Sequence, residues 1–201
     1  MKGLPFCADM MRAWLGDRKN VTRRLINPQP SEPCLHSYQH PTEKWWTFGD
    51  NTGRIWKPRY LPGETVYIKE TWHCDDPAAA QDVMSRGEGI YYKATEVHPE
   101  IFPKWKPGMF MPEWASRSKA LVVSARPEKL QDITAEDAIR EGLIYIPGQI
   151  IPTWWKNGVD EGTYLSPVRC YEALWDSINA KKYPWSSNPW VWRYELEKVN
   201  S

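Results

Sequence analysis

The run Gly16-Asp17-Arg18-Lys19-Asn20-Val21-Thr22-Arg23-Arg24 carries the densest reactive chemistry in this sequence. It sets a lysine, a hydroxyl and three arginines within seven residues, more than a solvated turn requires. An amine can act as a base, a hydroxyl as a nucleophile, and guanidinium groups can hold an anion or a polarised carbonyl. Glu70, within Val66-Tyr67-Ile68-Lys69-Glu70-Thr71-Trp72, adds a carboxylate. These are the parts that amide hydrolysis needs: Thr22 to attack, Lys19 to take its proton, and Glu70 to orient the lysine or pass a proton to the leaving amine. Arg18, Arg23, Arg24 and desolvation push the Lys19 pKa down, whereas an ionised Glu70 pushes it up. The plainer reading of the same residues is a Lys19–Glu70 ion pair, Thr22 as a strand residue, and solvated arginines. A third is a binding module, in which Arg18, Arg23, Arg24 and Arg117 hold phosphate while a Trp or Tyr, with Trp72 a candidate, stacks a base.

Several elements must position these groups. Asp9 is placed to cap a short helix carrying Met10, Met11, Trp14 and Leu15, with Gly16 as its left-handed stop. Val21 to Ile26 reads as extended, so Lys19 falls in a turn and Thr22 early in a strand. Val66 to Trp72 has the clearest strand pattern of the first half, with Val66, Ile68, Glu70 and Trp72 on one face. A carboxylate on that apolar face requires a partner. Further strands are expected at Ile90 to Ala94, Ala120 to Ala125 and Trp190 to Val199. In the last of these, Trp192, Tyr194 and Leu196 face the core, alternating with Arg193, Glu195 and Glu197. Thr134-Ala135-Glu136-Asp137 approximates a capping box for a helix to about Glu141, ended by Gly142. Ser166-Pro167 starts another helix, with Cys170, Leu174, Trp175 and Ile178 on one side. Between these elements lie three Trp- and Pro-rich excursions, at about 27–63, 97–118 and 143–165. The whole, residues 1–201, reads as a single α+β domain.

Eighteen prolines and 13 tryptophans agree with a loop-rich protein held by rigid aromatics. The formal net charge of +1 argues against indiscriminate coating of nucleic acid. Yet residues 1–24 hold six Lys or Arg against Asp9 and Asp17, a local +4, leaving −3 on the rest. No stretch is long and apolar enough to span a membrane and no basic-then-apolar leader opens the chain, so a cytoplasmic protein is expected. The four cysteines are widely spaced without Cys-x-x-Cys, and free thiols are expected. Cys34, His36 and His40, with His73 and Cys74 further on, fit no strong zinc spacing and read as a polar loop, so neither a metal nor another cofactor is expected.

The Gly16 to Arg24 run after a short helix, with Pro62-Gly63-Glu64-Thr65-Val66 through Glu70-Thr71-Trp72 downstream, resembles the ASCH domain of the PUA-like superfamily. Met111-Pro112-Glu113-Trp114-Ala115-Ser116-Arg117, Leu130-Gln131-Asp132-Ile133 and Leu174-Trp175-Asp176-Ser177-Ile178-Asn179 extend the likeness, over nearly the whole chain, to the longer ASCH proteins of phages and prophages. The resemblance implies a small β-barrel flanked by helices, with a cleft for RNA or a modified nucleoside. Compact bacterial members of the superfamily remove the acetyl group from N4-acetylcytidine with a lysine, a threonine three residues later and a glutamate on a following strand. By motif these are Lys19, Thr22 and Glu70. Other ASCH proteins are described as RNA binders or nucleases, and a phage accessory protein acting through protein contacts alone is a further alternative.

Overall fold

The computed structural model describes residues 1–30, 36–39, 46–49, 53–75, 89–102, 104–146, 153–155 and 163–199. Thirteen strands are present among them: β1 (Lys2–Pro5), β2 (Val21–Leu25), β3 (His36–Gln39), β4 (Trp46–Gly49), β5 (Ile55–Trp56), β6 (Thr65–Lys69), β7 (Trp72–Cys74), β8 (Ile90–Tyr92), β9 (Lys119–Lys129), β10 (Ile144–Ile146), β11 (Thr153–Trp155), β12 (Thr163–Tyr164) and β13 (Trp190–Val199). Three α-helices accompany them: α1 (Ala8–Leu15), α2 (Ala135–Arg140) and α3 (Pro167–Asn179).

The central sheet runs β1-β6-β9-β13-β2, antiparallel except for the β1/β6 pair. It leaves β1 and β2 as edges, and no pairing among the described residues closes it into a barrel. The architecture is therefore mixed α+β around a mostly sheet core. Both faces of that sheet are covered. On one, Met11 and Trp14 of α1 pack with Val66, Ile68, Val122, Tyr194 and Leu196. On the other, Ala138 of α2 and Cys170, Leu174 and Trp175 of α3 pack with Leu130 and Val191. This second layer corrects the one-sided burial expected of β13. Arg193 is buried with its inward neighbours because α2 lies over it and supplies a carboxylate.

Other differences are local. Helix α1 begins at Ala8 after Cys7, with no side-chain cap, and Asp9 pairs instead with Arg12 one turn on. Its stop is not a left-handed Gly16, whose φ is −85°; Asp17 takes the positive φ, 58°. Strand β6 ends at Lys69, so Val66 to Trp72 is not continuous, and Trp72 belongs to the separate β7/β8 ribbon. Strand β9 is longer than expected and runs through Pro127, where β6 no longer flanks it, so a missing N–H interrupts no ladder on that side. Within the described residues of the excursions, β3-β4-β5 and β10-β11-β12 form small antiparallel sheets in the first and third, and short 3-10 turns lie in the second. Their strands escape period-based reading because each is four residues or fewer.

Candidate functional site

Thr134 caps α2 as its sequence predicts, its Oγ1 accepting from the Asp137 N–H at 3.1 Å. Asp137 and Glu141, four residues apart, thereby fall on one side of the helix and its C-cap, facing the sheet. Strand β2 lies beneath them, with Arg23 directly opposite Arg193 of β13 and Thr22 opposite Tyr194. Two cations facing each other across a ladder repel, and Asp137 resolves the conflict. Its Oδ2 accepts from Arg23 at 2.8 Å and from Arg193 Nε at 2.6 Å, while Oδ1 accepts from Arg193 at 2.7 Å. The Arg193 hydrogen bonds, aided by Arg23, hold the Asp137 carboxyl well below the usual carboxylate range against the opposing effect of burial.

Lys19 enters the same cluster from the turn before β2. It is fully buried, and its Nζ donates to the Val21 carbonyl at 2.8 Å, the Glu141 carbonyl at 3.1 Å and Glu141 Oε2 at 2.6 Å. A backbone bridge joins Lys19 to Glu141, and the Asn20 N–H donates to the Arg140 carbonyl at 3.0 Å, fixing the loop against the end of α2. Burial pushes the Lys19 pKa below that of a free lysine, and Glu141 recovers only part of the loss. The other Glu141 oxygen accepts from Arg23 and from the Tyr171 hydroxyl, each at 3.3 Å. Burial and that carboxylate together keep Tyr171 protonated far above its ordinary range. Arg23 is buried, bonded also to Glu128 Oε1 at 2.7 Å.

Thr22, Arg24, Glu141 and Tyr171 line a cavity of about 300 Å³, closed on the α3 side by Leu174 and Trp175. Ile178, expected on the core face of α3, is instead exposed and forms part of this rim. The cavity thus joins a buried hydroxyl to the carboxylate partner of a buried amine.

Glu70 takes a different partner from the one the sequence suggests. It is buried, and Arg117 clamps both its oxygens, Nε to Oε1 at 2.8 Å and NH2 to Oε2 at 2.9 Å. Burial still lifts the Glu70 pKa, against the pull of Arg117. The expected Lys19–Glu70 pair is therefore replaced by Lys19–Glu141 and Arg117–Glu70, because α2 brings a carboxylate to the amine within a region that the sequence separates by more than a hundred residues. Arg117 also donates to Thr95 Oγ1 at 2.9 Å and lies 4.1 Å over the Tyr92 ring, a packed role rather than a free phosphate ligand. Arg23, with three acidic partners, is likewise no solvated anion hook. Arg18 donates to the Gly142 carbonyl at 3.3 Å. Trp72 is buried in a small cluster with Cys74, Met111 and Ala115, edge-on to Trp114, so it offers no open face for stacking. Arg24 is half-buried on the cavity wall and donates to the Pro5 carbonyl, with no carboxylate partner among the described residues.

Sequence reading missed Glu141, Asp137, Tyr171 and Arg193. The available signal was the capping box itself, which places two acids at i and i+4 on a short helix flanked by Ala138 and Leu143. Among the described residues no cluster of metal-ligating side chains occurs, and both His73 nitrogens are engaged, with the Lys104 carbonyl and Asp75. Cys34 and His40, and the side chain of His36, lie outside the described residues. No described helix is long and apolar enough to cross a membrane. Compared with known proteins, the chain matches no family model, no curated protein and no solved structure.

Proposed function

We propose that this chain is an ASCH-type, PUA-like protein that hydrolyses an amide on a modified nucleobase, an N4-acylated cytosine being the best fit, with Glu141 rather than Glu70 as the carboxylate that serves Lys19. One observation carries the reading: a buried amine with a lowered pKa is 2.6 Å from Glu141, which lines the same cavity as Thr22. At about 300 Å³ that cavity lies at the small end of ligand sites, of a size for a base or nucleoside.

In this reaction Glu141 takes a proton from the Lys19 ammonium, leaving a neutral amine. Lys19 then accepts the Thr22 Oγ1 proton as that oxygen bonds to the acyl carbon, and the carbonyl electrons move onto its oxygen, where Arg24 faces the developing charge. Collapse breaks the carbon–N4 bond, and the leaving nitrogen takes its proton from Lys19. Water, giving a proton to Lys19, then adds to the threonine ester; collapse breaks the Oγ1–carbon bond, Lys19 returns that proton to Oγ1 as the acid leaves, and Glu141 gives its proton back to Lys19.

A second reading is favoured by the three acceptors around Nζ, which match the three protons of an ammonium. In it the pair is a scaffold beneath a nucleic-acid-binding surface, and no turnover occurs. Incubation with N4-acetylcytidine, free and within RNA, with mass detection of product, separates the two. Release of acetate supports hydrolysis, and binding without product supports the second.

A further inference from the structure

Strand β2 is an edge of the central sheet, paired on one side with β13. In an antiparallel ladder alternate residues exchange bonds with the partner strand, and those between them point both N–H and C=O away from it. Here the Ile26 N–H donates to the Trp190 carbonyl at 3.1 Å, and the Leu196 N–H donates to the Asn20 carbonyl at 2.8 Å. Thr22, opposite Tyr194, and Arg24, opposite Trp192, fall in the same alternation and face β13. Val21, Arg23 and Leu25 therefore present their backbone to the open side.

The protein itself covers the first of these. Lys19 Nζ donates to the Val21 carbonyl at 2.8 Å, and the bridge between Lys19 and Glu141 closes that end of the edge. At Arg23 and Leu25 the described residues supply no partner for the outward N–H and C=O. The cavity of about 300 Å³ lies against this stretch, because its lining takes in Thr22 through Leu25 in succession. Met10 of α1 and Leu174 and Trp175 of α3 line it too, and walls from both layers place it at the sheet edge rather than on either face. Leu25 is half-buried, whereas Arg23 is only 4% exposed, so what meets the Arg23 backbone is whatever enters the cavity.

A ladder residue binds its opposite number through a donor and an acceptor side by side. A nucleobase edge offers the same combination, and in cytosine it is the N4–H beside N3. Two outward residues are short of the five or six of a usual strand, so this edge suits a base better than an added peptide. We propose that the backbone of Arg23 reads the base, its C=O accepting from N4–H and its N–H donating to N3, in the place of a neighbouring strand. This rests on the nucleobase function above and sets its specificity: N4 must keep a hydrogen, and N3 must be unsubstituted. Because N4 carries the acyl group, the same contact holds the bond to be cut beside Thr22 and Arg24, the chain neighbours of Arg23.

The test is calorimetry and amide-proton NMR on the full chain with cytidine, N4,N4-dimethylcytidine, 3-deazacytidine and adenosine. Dimethylcytidine lacks the donor and 3-deazacytidine the acceptor, and each is expected to bind about tenfold more weakly than cytidine. Cytidine is expected to move the Arg23 amide proton downfield, 3-deazacytidine to leave it in place, and the Arg24 amide, held in the ladder, to respond to neither. Cytidine binding with an unmoved Arg23 amide, or an equal shift with 3-deazacytidine, overturns the backbone reading. Turnover of N4-acetylcytidine in that same sample would leave the hydrolase standing. A downfield shift with adenosine and none with cytidine upholds the edge and overturns the cytosine assignment. Binding of no nucleoside overturns both.

Discussion

Lys19 Nζ lies 2.6 Å from Glu141 Oε2, with the two side chains 0% and 3% exposed, and this pair joins the turn before the edge strand to the end of a helix 122 residues later. Glu141 also faces Arg23, so its one negative charge serves two buried cations. Removing it leaves both underserved, whereas removing Lys19 leaves Glu141 its contacts with Arg23 and Tyr171. Glu141→Gln is expected to cost about 3–5 kcal/mol and Lys19→Met distinctly less, as read from urea unfolding midpoints. Equal losses would refute this division of charge.

If Thr22 is the nucleophile, Thr22→Val keeps the shape and deletes the hydroxyl. Turnover of N4-acetylcytidine should fall at least about a hundredfold, with ligand affinity kept within roughly tenfold. Hydrolysis at the parent rate would exclude Thr22.

The two carboxylates give a sharper contrast. Glu141→Gln should lower kcat by about a hundredfold or more because Lys19 loses its proton acceptor, whereas Glu70→Gln should leave kcat within about threefold. In the reverse result, Glu70 would be the working carboxylate.

Arg117→Met leaves Glu70 buried without its clamp and should destabilise the fold by about 3 kcal/mol. The double variant Arg117→Met/Glu70→Gln should recover part of that, since the uncompensated charge is gone. Additive losses in this double-mutant cycle would show that the two side chains act independently.

The Asp137 carboxyl titrates in the folded protein well below its unfolded value of about 3.9. Its stabilisation is fully present above that unfolded value and is lost as pH falls towards the folded one, because the unfolded chain binds the proton first. Unfolding midpoints should therefore decline below about pH 4, and Asp137→Asn should flatten that decline. An unchanged acid limb in the variant would assign acid sensitivity to other carboxylates.

The sequence by itself determined the elements whose signals are local. Thr134 and Ser166 marked helix starts through hydroxyl caps, the alternation in Trp190 to Val199 marked β13, and the density of Lys19, Thr22 and Arg24 marked one wall of the cavity. Tertiary structure decided the partners. Which carboxylate meets Lys19 depends on where α2 docks, and the pull of an ion pair across 122 residues leaves no periodic trace in the chain. The same holds for Glu70, whose strand stops one residue earlier and whose charge is met by Arg117 from beyond the 3-10 turns. Arg193 reads as a solvent-facing residue by alternation alone. It is buried because a second layer covers that face of the sheet, and whether a face is covered is settled by packing between distant segments, not by the pattern within one strand.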